Sequence, residues 1–347
     1  APDLAASWRI STAAGGSPGK ADPSPPVNPP AIVVSEVLAH TDEPAEDAIE
    51  FYNASAYDAH MGGWLLSDDA DEPDRYVLPE GFYVPAGGYA VITEASFGQG
   101  EAGFRLSENG EEVVLTAADC RGETTGFRHI RAFDASPNGV SLGRHVTSTG
   151  DVHFPLQAAV TLGAANSAPF ASPVVISEIM YHPAPDGPVA DEYVEIRNTT
   201  AAPVPLYLPD FPWLTWKLDG VGDFALPANT ILDPHQRLLI VGIEPALFRT
   251  RYAIPENVAI FGPYGGALDN GGERLALLRP EPPNPTGPQP YVVVDAVTYA
   301  ERAPWPPQAD GQGPALTRID LRAYGDDPRN WRASNAEVDR VFLPIVR

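Results

Sequence analysis

The sequence predicts an all-β, antiparallel protein built from two copies of one domain, on three observations. Short β-branched and aromatic runs recur, split by Gly, Pro, Asn and Asp at intervals of roughly 8–12 residues. Apolar runs with helical periodicity do not persist beyond two turns. The chain also carries the same phrases twice in the same order: IVVSEVL (32–38) and VVISEIM (174–180), DAIEFYN (47–53) and EYVEIRN (192–198), LSENGEEVVL (106–115) and LDNGGERLAL (268–277). Ordered pairs of this kind mark an internal duplication. The strand rhythm indicates a sandwich or barrel rather than alternating β and α units.

The elements follow in order. In the first half the strand runs are AIVVSEVL, AIEFYN, GWLLSD, YVLP, GYAVIT and EVVLTA. In the second half they are VVISEIM, YVEIRN, WLTWKL, RLLIVG, RLALLR and YVVVDAVTY. The one helical candidate is EPALFRTRY at 244–252, directly after a strand. Alternation puts Ile49 with Phe51, and Val194 with Ile196, toward the core. Glu50 and Glu195 then sit on the outer face. Glu36 shares a face with Val34 and Leu38, and Glu178 with Ile176 and Met180. A carboxylate on an apolar face needs hydrogen-bond partners or a cation. The favoured reading is a structural Glu tied to backbone N–H groups near a strand end. A functional carboxylate, or a bulge that turns the side chain outward, are the alternatives.

Five segments follow from composition. Residues 1–30 are a Pro/Gly-rich start, 31–166 the first repeat, and 167–173 (SAPFASP) a linker. Residues 174–335 are the second repeat and 336–347 an apolar tail. The second repeat is longer through proline-stiffened insertions at 183–190, 204–213 and 280–290. Proline makes up 39 of the 347 residues, which suits loops and edge strands because Pro cannot donate to a ladder.

Charge excludes some functions. The net charge is −24, from 46 acids against 22 bases. That sign repels nucleic-acid phosphates and anionic membranes. No apolar run approaches the ~18 residues a membrane span needs. Cys120 is the only cysteine, so no intrachain disulfide is possible.

Motifs that suggest chemistry mostly have a plainer explanation. GVSLG (139–143) matches the G-x-S-x-G nucleophile elbow, but SPNG precedes it and RHVTSTG follows, which is not a strand–turn–helix. Alanine (Ala315) stands at the position of Ser141 in the second copy. Asn53-Ala54-Ser55 and Asn198-Thr199-Thr200 match glycosylation sequons at strand ends, where Asn and Ser/Thr favour turns anyway. The seven histidines show no zinc-site spacing. The loop SDDADEPD (67–74) gathers Asp68, Asp69, Asp71 and Asp74. It is a candidate Ca²⁺ site, since oxygen-rich loops bind that ion when several carboxylates converge. A solvated acidic loop is the competing reading. No other cofactor is expected.

These phrases resemble the lamin tail domain. The markers in the first copy are Ser35-Glu36, Glu50 to Asn53, Gly63-Trp64 with Leu66, Pro85 to Ile92, Leu106 to Leu115 and Ser141 to Arg144. In the second they are Ser177-Glu178, Glu195 to Asn198, Trp216 to Leu218, Leu268 to Leu277 and Leu316 to Arg318. The second copy departs before Trp216, where LPDFPW replaces the Gly-Gly turn, and at DPHQRLLI (233–240), where the first copy reads PAGGYAVI. The resemblance implies two immunoglobulin-like antiparallel β-sandwiches in tandem. It also implies a bacterial secreted or surface protein. WRISTAAGGSPGKADP near the start is similar to the closing segment of such a domain.

The resulting expectation is a non-enzymatic extracellular or cell-surface protein for scaffolding, adhesion or assembly. Trp8, together with Val341, Phe342, Leu343 and Ile345 of VFLPIVR, would dock on a neighbouring copy or another surface protein and build a filament or surface layer. The alternative is a carbohydrate- or protein-binding accessory module of a larger secreted enzyme. Trp213, Trp216, Trp305 and Tyr264 would then stack on polysaccharide, unless they pack within the fold. Neither nucleic acid nor a membrane span is expected.

Overall fold

The computed structural model describes residues 19, 31–100, 103–119, 122–184, 191–284 and 287–334. The opening segment (Gly19 apart), the apolar tail and parts of two insertions therefore lie outside the described residues. The chain divides into two units, one of residues 1–145 with 154–169, the other of residues 146–153 with 170–347.

In unit 1 the first sheet runs Leu142–Gly143, Ile32–Leu38, Ala48–Asn53, Tyr89–Thr93, all antiparallel. The second runs Tyr76–Val77, Leu65–Ser67, Gly110–Ala118, Thr124–Asp134. Val34, Val37, Ile49 and Phe51 from the first sheet and Leu66, Val113 and Leu115 from the second are fully buried. At roughly 1.5–3 kcal/mol per buried aliphatic or aromatic side chain, this layer is the main favourable term.

The register explains the repeated Ser-Glu phrase. Val34 pairs with Phe51, but the next pair is Glu36 with Glu50, so Ser35 is an extra residue in a β-bulge. The bulge moves Glu36 away from the face of Val34 and sets it directly across from Glu50. Strict alternation, which placed Glu36 with Val34 and Leu38, fails here because of that one residue. The second copy repeats the device: Ile176 pairs with Ile196, then Glu178 with Glu195.

Unit 2 carries the same frame with additions. Its first sheet runs Ala259–Phe261, Arg237–Val241, Tyr193–Asn198, Val174–Met180, Leu316–Arg318, Trp331–Ala333. Only the pairing of the outermost Ala259–Phe261 is parallel. Its second sheet runs Phe224–Ala225, Lys217–Asp219, Arg274–Pro280, Tyr291–Thr298. The expected helix is present at Pro245–Tyr252, with Pro in its first turn and Ala253 in the left-handed conformation ending it. Its Phe248 packs on Tyr193, Leu239, Val241 and Ile260. Tyr193 and Leu239 face away from Val194 and Ile196, so the helix gives this sheet a second apolar layer.

Both sequon asparagines are structural. Asn53 and Asn198 are fully buried. Asn53 Nδ2 donates to Tyr57 O and Val84 O, and Oδ1 accepts from Ser55 N, an Asx turn. Asn198 repeats the pattern with Ala202 O, Leu232 O and Thr200 N. A glycan would need an Nδ2 whose hydrogens already hold the turn. Removing these bonds leaves buried carbonyls unsatisfied, so Asn53→Ala should cost about 2–4 kcal/mol. Urea denaturation, comparing midpoints at unchanged m, checks this.

Candidate functional site

The groups with most chemical potential lie on the outer face of each first sheet. In unit 1 this face is covered by the segment 154–169. Gly143 N donates to Pro155 O and Gln157 N to Ser141 O, which extends the sheet. Beyond that, Thr161 N and Oγ1 donate to Glu36, at 2.9 Å to Oε1 and 2.7 Å to Oε2. Ser141 Oγ donates to Glu36 Oε1 and Gly163 N to Glu50 Oε2. Asn166 Nδ2 donates to Ser35 O and Arg144 O. Gly143 lies close under the covering segment: a Cβ there would meet Gln157 and Asn166 side-chain atoms at 2.7–2.8 Å, so those side chains would have to shift.

Glu36 and Glu50 are both fully buried. Glu36 is well supplied with donors. Glu50 is not, and its Oε1 has no partner. Burial, augmented by the Glu36 charge and opposed by the Gly163 N–H, pushes the Glu50 carboxyl up to about 7. The outer face was foreseen for Glu50 and Glu195, but not that it is closed to water.

The equivalent pair in unit 2 uses other donors. Ser177 Oγ donates to Glu195 Oε1 at 2.7 Å, and Arg237 Nη1 donates to Oε2 at 3.2 Å. Tyr193 OH donates to Glu178 Oε1 at 2.9 Å.

Ser141 is fully buried and gives its hydrogen to Glu36. A serine nucleophile needs access and a base oriented to take its proton. Here the hydroxyl is one of several donors that neutralise a buried carboxylate. It stands at the start of Leu142–Gly143, not on a strand-to-helix turn.

The acidic loop is organised around an arginine. Arg75 Nη1 donates to both oxygens of Asp68, at 2.9 and 3.2 Å, and its Nε and Nη2 donate to Glu72. Asp69 Oδ1 accepts from Asp71 N at 2.7 Å. Asp68, Asp69 and Glu72 thus converge on Arg75, with Asp69 Oδ2 at 4.0 Å from its Nη2, while Asp71 joins through its backbone N–H. Among the described residues no group of three or more His, Cys, Asp or Glu is arranged to hold a metal ion. The assembly residues Trp8, Val341, Phe342, Leu343 and Ile345 lie outside the described residues.

The aromatic candidates separate. Trp216, Trp305 and Tyr264 are buried. Trp213 is 69% exposed and meets Phe211 edge to face at 5.5 Å. Unit 2 also has a cleft of about 470 Å³ lined by Arg197, Thr199, His235, Ile319, Asp320 and Arg322. Sequence reasoning missed this cleft, because its residues come from three distant stretches and share no motif.

Among the described residues no helix is long and apolar enough to cross a membrane. Residues 25–126 match the family model of the Lamin Tail Domain. The match runs from before Ile32–Leu38 into Thr124–Asp134, so unit 1 carries an immunoglobulin-like lamin tail domain. Unit 2 lies beyond the match and has the same sheet frame and register. No curated protein matches the chain. A solved structure similar to it is a DUF4876 family protein from Bacteroides thetaiotaomicron VPI-5482, at 11% identity and a TM-score of 0.28, covering 83% of this chain and 93% of that one.

The Glu50 value gives a signed pH dependence. A carboxyl whose folded pKa exceeds its unfolded value of about 4.5 binds its proton more tightly in the fold. Its contribution is fully present below about pH 4.5 and is lost as pH rises through about 7. Glu111, also pushed up to about 7 by burial, acts in the same direction. Glu50→Gln should therefore stabilise unit 1 by about 1–3 kcal/mol at pH 8 and change little at pH 4.5, leaving the slope due to Glu111. Thermal melts of both proteins across pH 4.5–8 test this, and equal shifts at the two ends would contradict it.

Proposed function

We propose that this chain is a non-enzymatic structural protein of the cell exterior, serving scaffolding, adhesion or assembly. One observation carries the reading. The side chains that could have supported chemistry are engaged by other groups of the fold: Ser141 on Glu36, Asn53 and Asn198 in turns, and Asp68 on Arg75 in a surface loop. A duplicated sandwich with its reactive groups so engaged offers surfaces and termini rather than a reaction centre. The acidic surface, with a net charge of −24, favours solubility and disfavours nucleic acid as a partner.

Within this reading the terminal segments are the assembly elements. The apolar VFLPIVR tail and the segment around Trp8 would bury their apolar side chains on a second copy or another surface protein. A heterologous contact of that kind builds an open chain when it does not close.

A second reading has its own support. Exposed Trp213, with Phe211 beside it, offers an aromatic face for a polysaccharide ring, and the Arg197–Arg322 cleft offers polar groups. It makes the chain a binding module of a larger secreted protein.

Light scattering across a concentration series separates the two. Mass that grows with concentration, and ceases to grow when residues 1–30 and 341–347 are deleted, is the expected outcome. A constant monomer mass for the intact chain would remove the assembly reading and favour the binding module.

A further inference from the structure

The duplication supplies an internal reference for a basic cluster in unit 1. In unit 2, Arg318 is buried. Its Nη1 donates to Asp295 Oδ2 at 2.7 Å and to Ile176 O at 3.2 Å, and its Nη2 to Ala323 O at 2.6 Å. Asp295 lies directly across from Leu277, and Arg318 follows Thr317, which lies across from Glu178.

The register transfers these positions to unit 1. Leu115, the counterpart of Leu277 in the repeated phrase, lies across from His129. Gly143 lies across from Glu36, so Arg144 is the counterpart of Arg318. A histidine thus occupies the position of the buried acid, while the arginine remains. Two residues on, Arg131 stands where unit 2 has the buried Val297. Directly opposed side chains share a face. His129 therefore points with fully buried Leu115, and Arg131 with fully buried Val113.

These three bases are close enough to repel, yet among the described residues no acid joins them. Burial, then Arg131 and Arg144, pushes His129 down to about 4, and burial, then Arg144, lowers Arg131. His129 Nε2 and Arg131 Nε are buried without partners. Among the described residues no ion pair or side-chain hydrogen bond engages the guanidinium of Arg144 or Arg131. The Arg131 guanidinium instead lies 5.6 Å from the centroid of the Phe154 ring. Acids are not scarce in this chain, at 46 against 22 bases, so the missing counter-charge is local. Two guanidiniums beside a neutral imidazole present charge and planar donors, the pattern that a carboxylate satisfies.

We propose that unit 1 binds a carboxylate at Arg144, Arg131 and His129, which supplies from outside the acid that Asp295 supplies internally in unit 2. The ligand is either a small free carboxylate or an Asp/Glu side chain of another polypeptide. The site does not depend on the assembly reading.

The test uses the full chain and the NMR signals of the His129 ring, assigned by their loss in His129→Asn. Sodium acetate is titrated against sodium chloride at matched ionic strength, and a hexaglutamate peptide is titrated separately. The expected result is a saturable shift beyond that of chloride, weakened at least tenfold in Arg144→Gln. His129→Asp, which installs the acid of unit 2, should melt at a higher temperature than the parent chain, and Arg144→Gln should remove that gain. A response to acetate identifies a small carboxylate as sufficient, and a response to hexaglutamate alone identifies a polypeptide acid. If neither moves His129 beyond chloride, or if Arg144→Gln responds like the parent chain, the proposal is overturned.

Discussion

The burial of two opposed carboxylates on one sheet face is the constraint around which unit 1 is arranged. Like charges directly across a ladder repel, and a carboxylate removed from water costs several kcal/mol unless donors replace its hydration. The bulge at Ser35 creates the problem by turning Glu36 to face Glu50. The covering segment answers it with Thr161, Gly163 and the neighbouring Ser141. Glu50, whose Oε1 has no hydrogen-bond partner, is the member whose ionisation remains costly, and its raised pKa is the signature. The closing segment is therefore held by charge neutralisation as well as by sheet extension at Pro155 and Gln157.

Unit 2 opposes the same two acids but buries only Glu195, with Glu178 half-buried. Arg237 and Ser177 supply the donors to Glu195, and a helix rather than a strap adds the outer apolar layer. Its other buried charges are paired as well: Asp295 with Arg318, and Glu192 with Leu268 N and Tyr264 OH. A buried ion pair is a weak net stabiliser, but removing one partner leaves an uncompensated charge that costs far more. Unit 1 differs in that sense where His129 matches Asp295, and the difference is softened because the imidazole is neutral at ordinary pH.

Much of the architecture was legible in the sequence, because the duplication made each strand appear twice. The aliphatic pairs Ile49/Phe51 and Val194/Ile196 alternate as a half-buried strand must, and all four are core. The helix at Pro245–Tyr252 followed from a short polar-apolar run after a strand. The role of Glu36 was less legible. Period-two reasoning assumes an uninterrupted ladder, and one unpaired serine reverses the face of everything beyond it. The partners of Glu36 come from more than a hundred residues away, at Ser141 and Thr161, and no local pattern encodes such a contact. The same holds for the acidic loop. Its composition suggested a cation, while its geometry depends on Arg75, which lies just outside the run of acids.

Comparison of the two copies also bears on what the carboxylates are for. A reaction centred on Ser141 and Glu36 would require the hydroxyl and the carboxylate together. In unit 2 the carboxylates remain but Ala315 stands at the position of that serine, and the hydroxyls reaching the pair come from Ser177 in the bulge and from Tyr193. The source of the donor has moved while the opposed acids have not. What both copies keep is the bulge, the opposed acids and donors to them, with Glu36, Glu50 and Glu195 buried and Glu178 half-buried, so the feature common to them is an acid pair held by hydrogen bonds on the outer sheet face. Ser141 then belongs to those hydrogen bonds, and the G-x-S-x-G spacing around it reflects a tight approach of the covering segment at Gly143 rather than a nucleophile held for attack.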